Sequence, residues 1–227
     1  MIQFEDVSKT YSTADGPVHA LSGVNLDVAA GEFIAVRGPS GCGKSTLLML
    51  AGGLGTATSG RVCVAGEDLT AAGPAALARF RAERIGFVFQ MFHLLPYLTV
   101  LDNVAAASTG ESSTARPRAA EMLEKFQLGD RLRHRPAELS AGERQRVAMA
   151  RAMINGPTLI LADEPTGNLD PDSATIVLEL LADFHRQGGT ILLVTHEQQA
   201  AAYADRTILL RQGMIEGESK QPQPETA

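Results

Sequence analysis

The stretch Gly38-Pro39-Ser40-Gly41-Cys42-Gly43-Lys44-Ser45-Thr46 fits the pattern G-x-x-x-x-G-K-[ST]. Glycines at this spacing let successive backbone N–H groups turn inward around phosphate oxygens, where Cβ atoms would obstruct them. Lys44 then reaches the β- and γ-phosphates of a nucleotide, and the Ser45 hydroxyl is placed to bind Mg²⁺. Cys42 reads as a small packing residue, although its place beside a helix N-terminus leaves oxidation open to it. Further along, Thr158-Leu159-Ile160-Leu161-Ala162-Asp163-Glu164 is an apolar run ending in two carboxylates. Asp163 suits the Mg²⁺ shell, and Glu164 suits a general base that polarises the water attacking a γ-phosphate. A third segment, Leu139-Ser140-Ala141-Gly142-Glu143, opens a helix. Ser140 is its N-cap, and Glu143 three residues on completes a capping box. The same free N–H groups and helix dipole make a second anion site, one without a lysine.

These groups need a scaffold that holds them together. Residues 2–37 read as strands and turns, with Val24, Leu26 and Val28 alternating and Phe33-Ile34-Ala35-Val36 suited to a buried strand. A helix is expected over Thr46–Ala51, and strands over Arg61–Val64 and Ile85–Phe89. After Gln90 the character changes. Val100–Ala107, Arg118–Phe126 and Ala141–Met153 read as helices with no strand between them, and Ser108–Ser113 reads as a loop. Strands return at Thr158–Ala162, Thr190–Val194 and Arg206–Leu210. A helix with Ile176, Val177, Leu180, Leu181 and Phe184 on one face lies between the first two. Gly217–Ala227, with two prolines and no large apolar side chain, is expected to be a frayed tail. The pattern is that of an α/β core interrupted by a helical insertion around 91–156. A strand that ends in Asp163-Glu164 puts acids at the carboxyl edge of a parallel sheet, where ligands of such folds bind.

Composition narrows the classes. The 227 residues suit one sizeable domain, and 44% hydrophobic with 20% charged residues excludes wholesale disorder. The longest run without a polar side chain, Leu47–Gly55, is about half of what a bilayer span needs. The N-terminus carries no secretory pattern, so the chain is expected to remain in the compartment where it is made. Twenty Lys+Arg against 26 Asp+Glu, net −6, argues against a nucleic-acid partner. Cys42 and Cys63 do not make a disulfide framework, and neither has metal-ligand spacing.

Taken together, the phosphate loop, the Leu139–Glu143 signature and the strand running into Asp163-Glu164 resemble an ATP-binding cassette (ABC) ATPase, from Tyr11 to about Gly213. The resemblance implies a P-loop NTPase (RecA-like) core over 1–90 and 157–216. An antiparallel β subdomain and an inserted α-helical subdomain at 91–156 complete it. It implies ATP and Mg²⁺ as ligands and a head-to-tail homodimer, in which Ser140 and Gly142 of one copy meet ATP held by the other. By the same likeness Tyr11 would stack on adenine, and Gln90 would meet Mg²⁺ and the attacking water while hinging the helical subdomain. His196 would touch the γ-phosphate and support Glu164, and Asp170 would communicate across the dimer. Ala141 departs from the family's paired glycines. The segments Leu161–Asp170 and Arg135–Ser140 are similar to the MacB/LolD-like exporter branch. That implies an integral membrane permease of FtsX/MacB type as partner and a peripheral place on the cytoplasmic face of the inner membrane. The apolar residues Phe92, Leu94, Leu95, Pro96 and Leu98 are then either a groove for a permease helix or internal core. The alternative function is an FtsE-like ATPase that regulates cell-wall hydrolysis through a membrane partner without moving cargo. A DNA-repair ABC ATPase is disfavoured by the acidic balance and the lack of a coiled-coil insertion.

Overall fold

The computed structural model describes residues 1–220 of the chain. A long hairpin comes first: β1 (Ile2–Thr13) and β2 (Gly16–Val28) pair antiparallel, and with β4 (Ser59–Val64) and β5 (Glu67–Asp68) they form a four-stranded sheet in the order β2-β1-β4-β5. The second sheet has the order β10-β9-β3-β8-β7-β6. Its strands are β3 (Phe33–Arg37), β6 (Ile85–Phe89), β7 (Leu159–Asp163), β8 (Thr190–Val194), β9 (Arg206–Arg211) and β10 (Met214–Lys220). All its pairings are parallel except β9 with β10.

The central strands are nearly continuous apolar runs because both of their faces are covered. Period-two alternation divides them between two cores. Ile34, Val36, Leu159, Leu161, Leu192 and Val194 point toward the antiparallel sheet and the helix α1 (Lys44–Ala51). Phe33, Ala35, Ile160, Ala162, Ile191 and Leu193 point to the other core. That core is closed by α3 (Val100–Ala105), α4 (Ser112–Lys125), α5 (Ala141–Met153) and α6 (Pro171–Arg186). The remaining helices are α2 (Pro74–Arg84) and the short α7 (Gln198–Ala201).

Between β6 and β7 the described chain contains helices and turns and no strand, as the pattern predicts. On α6, Val177, Leu181 and Phe184 are buried together with Leu178, whereas Ile176 and Leu180 are half-buried. Two expectations need correction, and one helix went unread. Ser112 and Ser113 are helical: Thr114 and Ala115 donate their N–H groups to Glu111 O at 3.0 and 3.2 Å, so a first turn closes before Pro117. Residues 74–84 form a helix with only Leu77 and Phe80 buried, too sparse an apolar face to announce itself. Gly217–Lys220 are not frayed but continue β10, pairing with Leu209–Arg206. Polar side chains suffice there because β10 is an edge strand held by backbone ladder bonds and by the Arg206–Glu218 ion pair at 2.5 Å. Residues 221–227 of the expected tail lie outside the described residues.

No helix among the described residues is long and apolar enough to cross a membrane. In the segment after β6, Met91, Leu95 and Tyr97 are 67%, 40% and 69% exposed, so these side chains form surface. Leu94 packs on the second core.

Candidate active site

The parallel register brings the chemistry-bearing residues to one edge. Phe89 lies opposite Asp163, Asp163 opposite Val194, and Val194 opposite Val36. The chain therefore leaves four adjacent strands at one level, into Gln90, Glu164, Thr195-His196 and the loop after Arg37. This is the carboxyl edge at which open α/β sheets bind ligands.

The loop after β3 is shaped by glycines that tolerate no substitution. A Cβ on Gly38 would stand 2.1 Å from Leu210 O, and one on Gly43 2.2 Å from Ala20 O. Gly43 also has φ 107°, a conformation that side chains rarely adopt. Gly41 has φ 76° with open space beside it. Gly213 N–H donates to Cys42 O at 3.0 Å, tying the loop to the β9–β10 turn. Cys42 is buried, which fits a packing role. Lys44 is 8% exposed, and its ammonium donates to Gly38 O and Pro39 O, both at 2.9 Å. The cation thus sits folded over the mouth of a cradle of N–H groups at the start of α1, where Pro39, Ser40, Ser45 and Thr46 also lie.

Asp163 ends β7 beside this loop. Burial pushes its carboxyl above the usual carboxylate range, and the neighbouring charge of Glu164 adds to the rise; a Ser45 side-chain hydrogen bond and the Lys44 cation oppose it. A desolvated carboxylate with a hydroxyl attached is an incomplete hard-oxygen shell, the donor set Mg²⁺ takes alongside phosphate oxygens and water.

Glu164 has φ 46°, left-handed for a non-glycine residue, and its N–H donates to Val194 O at 2.9 Å. This turn swings the carboxylate toward the next strand, where Oε2 lies 2.7 Å from His196 Nδ1. The two loops are stitched a second time: Thr166 Oγ1 donates to Glu197 Oε2 at 2.6 Å, and Glu197 N–H donates to Thr195 Oγ1 at 3.0 Å. Gln90 joins from β6. Its amide and backbone carbonyl exchange hydrogen bonds with the Asn168 side chain, both at 3.3 Å.

A second group gathers at the start of α5. Glu143 N–H donates to Ser140 Oγ at 3.2 Å and Ser140 N–H to Glu143 Oε2 at 2.8 Å, the expected capping box. The Ser140 N–H, and then Arg131 at 2.9 Å, hold the Glu143 carboxyl below its usual range. Gly142 is pressed on α6: a Cβ there would lie 2.3 Å from Ser173 Oγ. Asp170 caps α6, accepting from Ser173 N–H at 2.9 Å, and this bond is the first cause of its lowered pKa. Ser140 and Asp170 are exposed, so this group faces outward from the chain.

Tyr11 sits on β1 opposite Val18, 40% exposed, with the Lys9 ammonium 4.9 Å from its ring centroid. The hairpin partner strand supplies Ala20 O, which backs Gly43, so the ring belongs to the element behind the phosphate loop.

Sequence reasoning missed several supports. Asn168 and the Thr166–Glu197 pair act across dozens of residues and carry no local signal. Gln145, fully buried in α5, donates to Pro165 O at 2.8 Å and so ties the signature helix to the Glu164 turn. A polar residue in the apolar phase of α5 was the one available hint.

The ABC transporter family model matches residues 21–167. The chain is 48% identical over 220 residues to the lipoprotein-releasing system ATP-binding protein LolD of Geobacter metallireducens, covering 95% of this chain and 97% of that one. It is 46% identical over 218 residues to the macrolide export ATP-binding/permease protein MacB of Brucella melitensis, covering 95% of this chain but 34% of the relative. The chain therefore spans about a third of the MacB relatives' length. A solved ATP-binding cassette, dimeric and in a post-hydrolysis state with ADP and Pi, superposes with TM-score 0.90 at 38% identity, covering 97% and 98% of the two chains.

Proposed function

The chain belongs to the ABC transporter family, as an ATP-binding and ATP-hydrolysing cassette of the MacB/LolD branch, and we propose that it energises a separate membrane permease of an export or mechanotransmission complex. One observation carries the reading. A lysine-bearing glycine cradle, a half-buried Asp163 bonded to Ser45, and a Glu164–His196 pair meet at one sheet edge.

In this reading Gly38–Thr46 wrap the phosphates with N–H groups, Lys44 moves from the loop carbonyls to the β- and γ-phosphates, and Tyr11 stacks on the base. Ser45, Asp163 and Gln90 would hold Mg²⁺, which when bound neutralises charge on the β- and γ-oxygens. Glu164 accepts a proton from water as the water oxygen bonds to the γ-phosphorus. The bond from that phosphorus to the β–γ bridging oxygen breaks, and its electron pair leaves on ADP. His196 keeps the Glu164 carboxylate aimed and reaches the γ-phosphate. The exposed Ser140 and the first turn of α5, packed on α6 through Gly142, would close over the nucleotide of a second copy, with Asp170 at the seam.

The exposed Met91, Leu95 and Tyr97 are the surface offered to a permease helix. The complex would then lie at the cytoplasmic face of the inner membrane, with residues 91–156 as the moving helical subdomain. The test is purification from native membranes followed by turnover measurement. Co-purification of an integral membrane protein that stimulates ATP hydrolysis is expected, and retention of full activity with no membrane partner would remove the transport reading.

A further inference from the structure

Two consecutive non-glycine residues next to Gln90 are left-handed: Phe92 has φ 56° and His93 φ 49°. Such a pair is strained and persists only where its surroundings over-determine it. The surroundings are two arginines of one helix. Arg151, on the last turn of α5, donates to Phe92 O at 2.8 Å and to His93 O at 2.6 Å. Arg144, two turns earlier, places its guanidinium 5.4 Å from the Phe92 ring centroid while donating to Leu139 O at 2.7 Å. The His93 ring in turn meets Phe89 edge-on at 5.1 Å, so the turn also packs on the residue that precedes Gln90.

Arg151 is an unusual residue to spend on this. Burial pulls its pKa down, and among the described residues no carboxylate pairs with it. A desolvated guanidinium held by two carbonyls of a strained turn is a poor contributor to stability, because it repays its own desolvation only in part. Its geometry serves placement instead. A planar fork spanning two successive carbonyls fixes their relative orientation more rigidly than a freely rotating ammonium does.

We propose that Arg151 is a positioning residue, clamping the left-handed turn at Phe92-His93 so that Gln90 and α5, which carries the signature at its start, move as one body. The exposed Met91, Leu95 and Tyr97 flank the same turn, so a partner pressing on that surface acts on Gln90 through the clamp. The assignment rests on the proposed role of Gln90 in the hydrolytic site.

The experiment uses the full chain. Arg151→Ala and Arg151→Lys are purified and compared with the parent for ATP affinity by a fluorescent nucleotide, for kcat and KM, and for melting temperature. Both variants are expected to bind ATP within about twofold of the parent. Their kcat should fall roughly tenfold to a hundredfold, the scale of a misplacement of about 1 Å. His93→Gly relieves the left-handed strain, so adding it to Arg151→Lys should recover much of the lost kcat. A purely structural role would lower the melting temperature and soluble yield, leave kcat per folded molecule unchanged, and gain nothing from His93→Gly; that result overturns the clamp. If Arg151→Ala does not fold, Arg151→Lys and its His93→Gly partner decide. Glu164→Gln is the control: retained turnover in that variant would overturn the hydrolytic reading itself, whereas lost turnover there with full kcat in the Arg151 variants would overturn only the clamp.

Discussion

Glu164 Oε2 lies 2.7 Å from His196 Nδ1, across the gap between the loops after β7 and β8. The histidine side chain is 62% exposed and the carboxylate 23%, so solvent screens the pair and its value for stability is small. Its value is directional, since it fixes which way a carboxylate on a left-handed turn points. Glu164→Gln should keep ATP affinity and lose about 10²-fold or more in turnover, the usual worth of a general base. The bound state should accumulate as a nucleotide-dependent dimer, visible by light scattering. His196→Ala should lower kcat by less, with a melting temperature equal to the parent's. Undiminished steady-state turnover in Glu164→Gln would take the base role from this residue.

Lys44 makes a different prediction because its ammonium already has partners. It donates to Gly38 O and Pro39 O, so the cation also braces the loop. Lys44→Ala removes a charge-assisted contact worth about 1.5–3 kcal/mol, and ATP affinity should drop roughly tenfold to a hundredfold. Calorimetric titration with ATP measures it. Unchanged affinity would mean that the loop does not hold phosphate through this lysine.

These residues were legible because each motif is contiguous and its local physics is self-contained. The capping box at Ser140–Glu143 placed the start of α5 at Ala141, and the apolar run Leu159–Ala162 placed β7. Legibility failed where long-range contact decides. Gly217–Lys220 look like a tail because an edge strand needs few apolar side chains, and only pairing with β9 makes them a strand. Phe92 and His93 have ordinary side chains, and nothing local announces a left-handed turn imposed by Arg151, more than fifty residues away. Asn168 is a turn residue by composition and a bridge to Gln90 only in space.

Gly142 allows a third test. Its missing side chain lets α5 lie against α6, where a Cβ would come within 2.3 Å of Ser173 Oγ and 2.7 Å of Ser173 Cβ. Gly142→Ala should therefore destabilise the fold by about 1–3 kcal/mol, the range of overpacking. Ser173→Gly in the same chain should restore most of that loss, read as the melting temperature of the double variant against both singles. Absence of coupling between the two sites would show that the helices part freely. Ala141, by contrast, is the first residue of α5 and half-buried, so Ala141→Gly should change stability little.

Asp163 yields the last prediction, through the sign of its pKa shift. Burial raises the carboxyl above its ordinary value, so the folded chain holds a proton at pH values where the unfolded chain has lost it. The unfolded state then binds fewer protons, and stability falls as pH rises from the ordinary aspartate pKa through the folded one. Below that window the group is neutral in both states and costs nothing; above it the penalty is constant. Nucleotide-free protein should accordingly be more stable as Asp163→Asn at neutral pH, with the advantage disappearing on acidification below the ordinary range. The same substitution removes the carboxylate that Mg²⁺ would need, so any gain in melting temperature on adding MgATP should be smaller in the variant than in the parent. Thermal melts at several pH values, with and without MgATP, separate the two effects. A variant that is less stable without nucleotide and equally stabilised by MgATP would show that Asp163 is a structural carboxyl and not a ligand held in reserve.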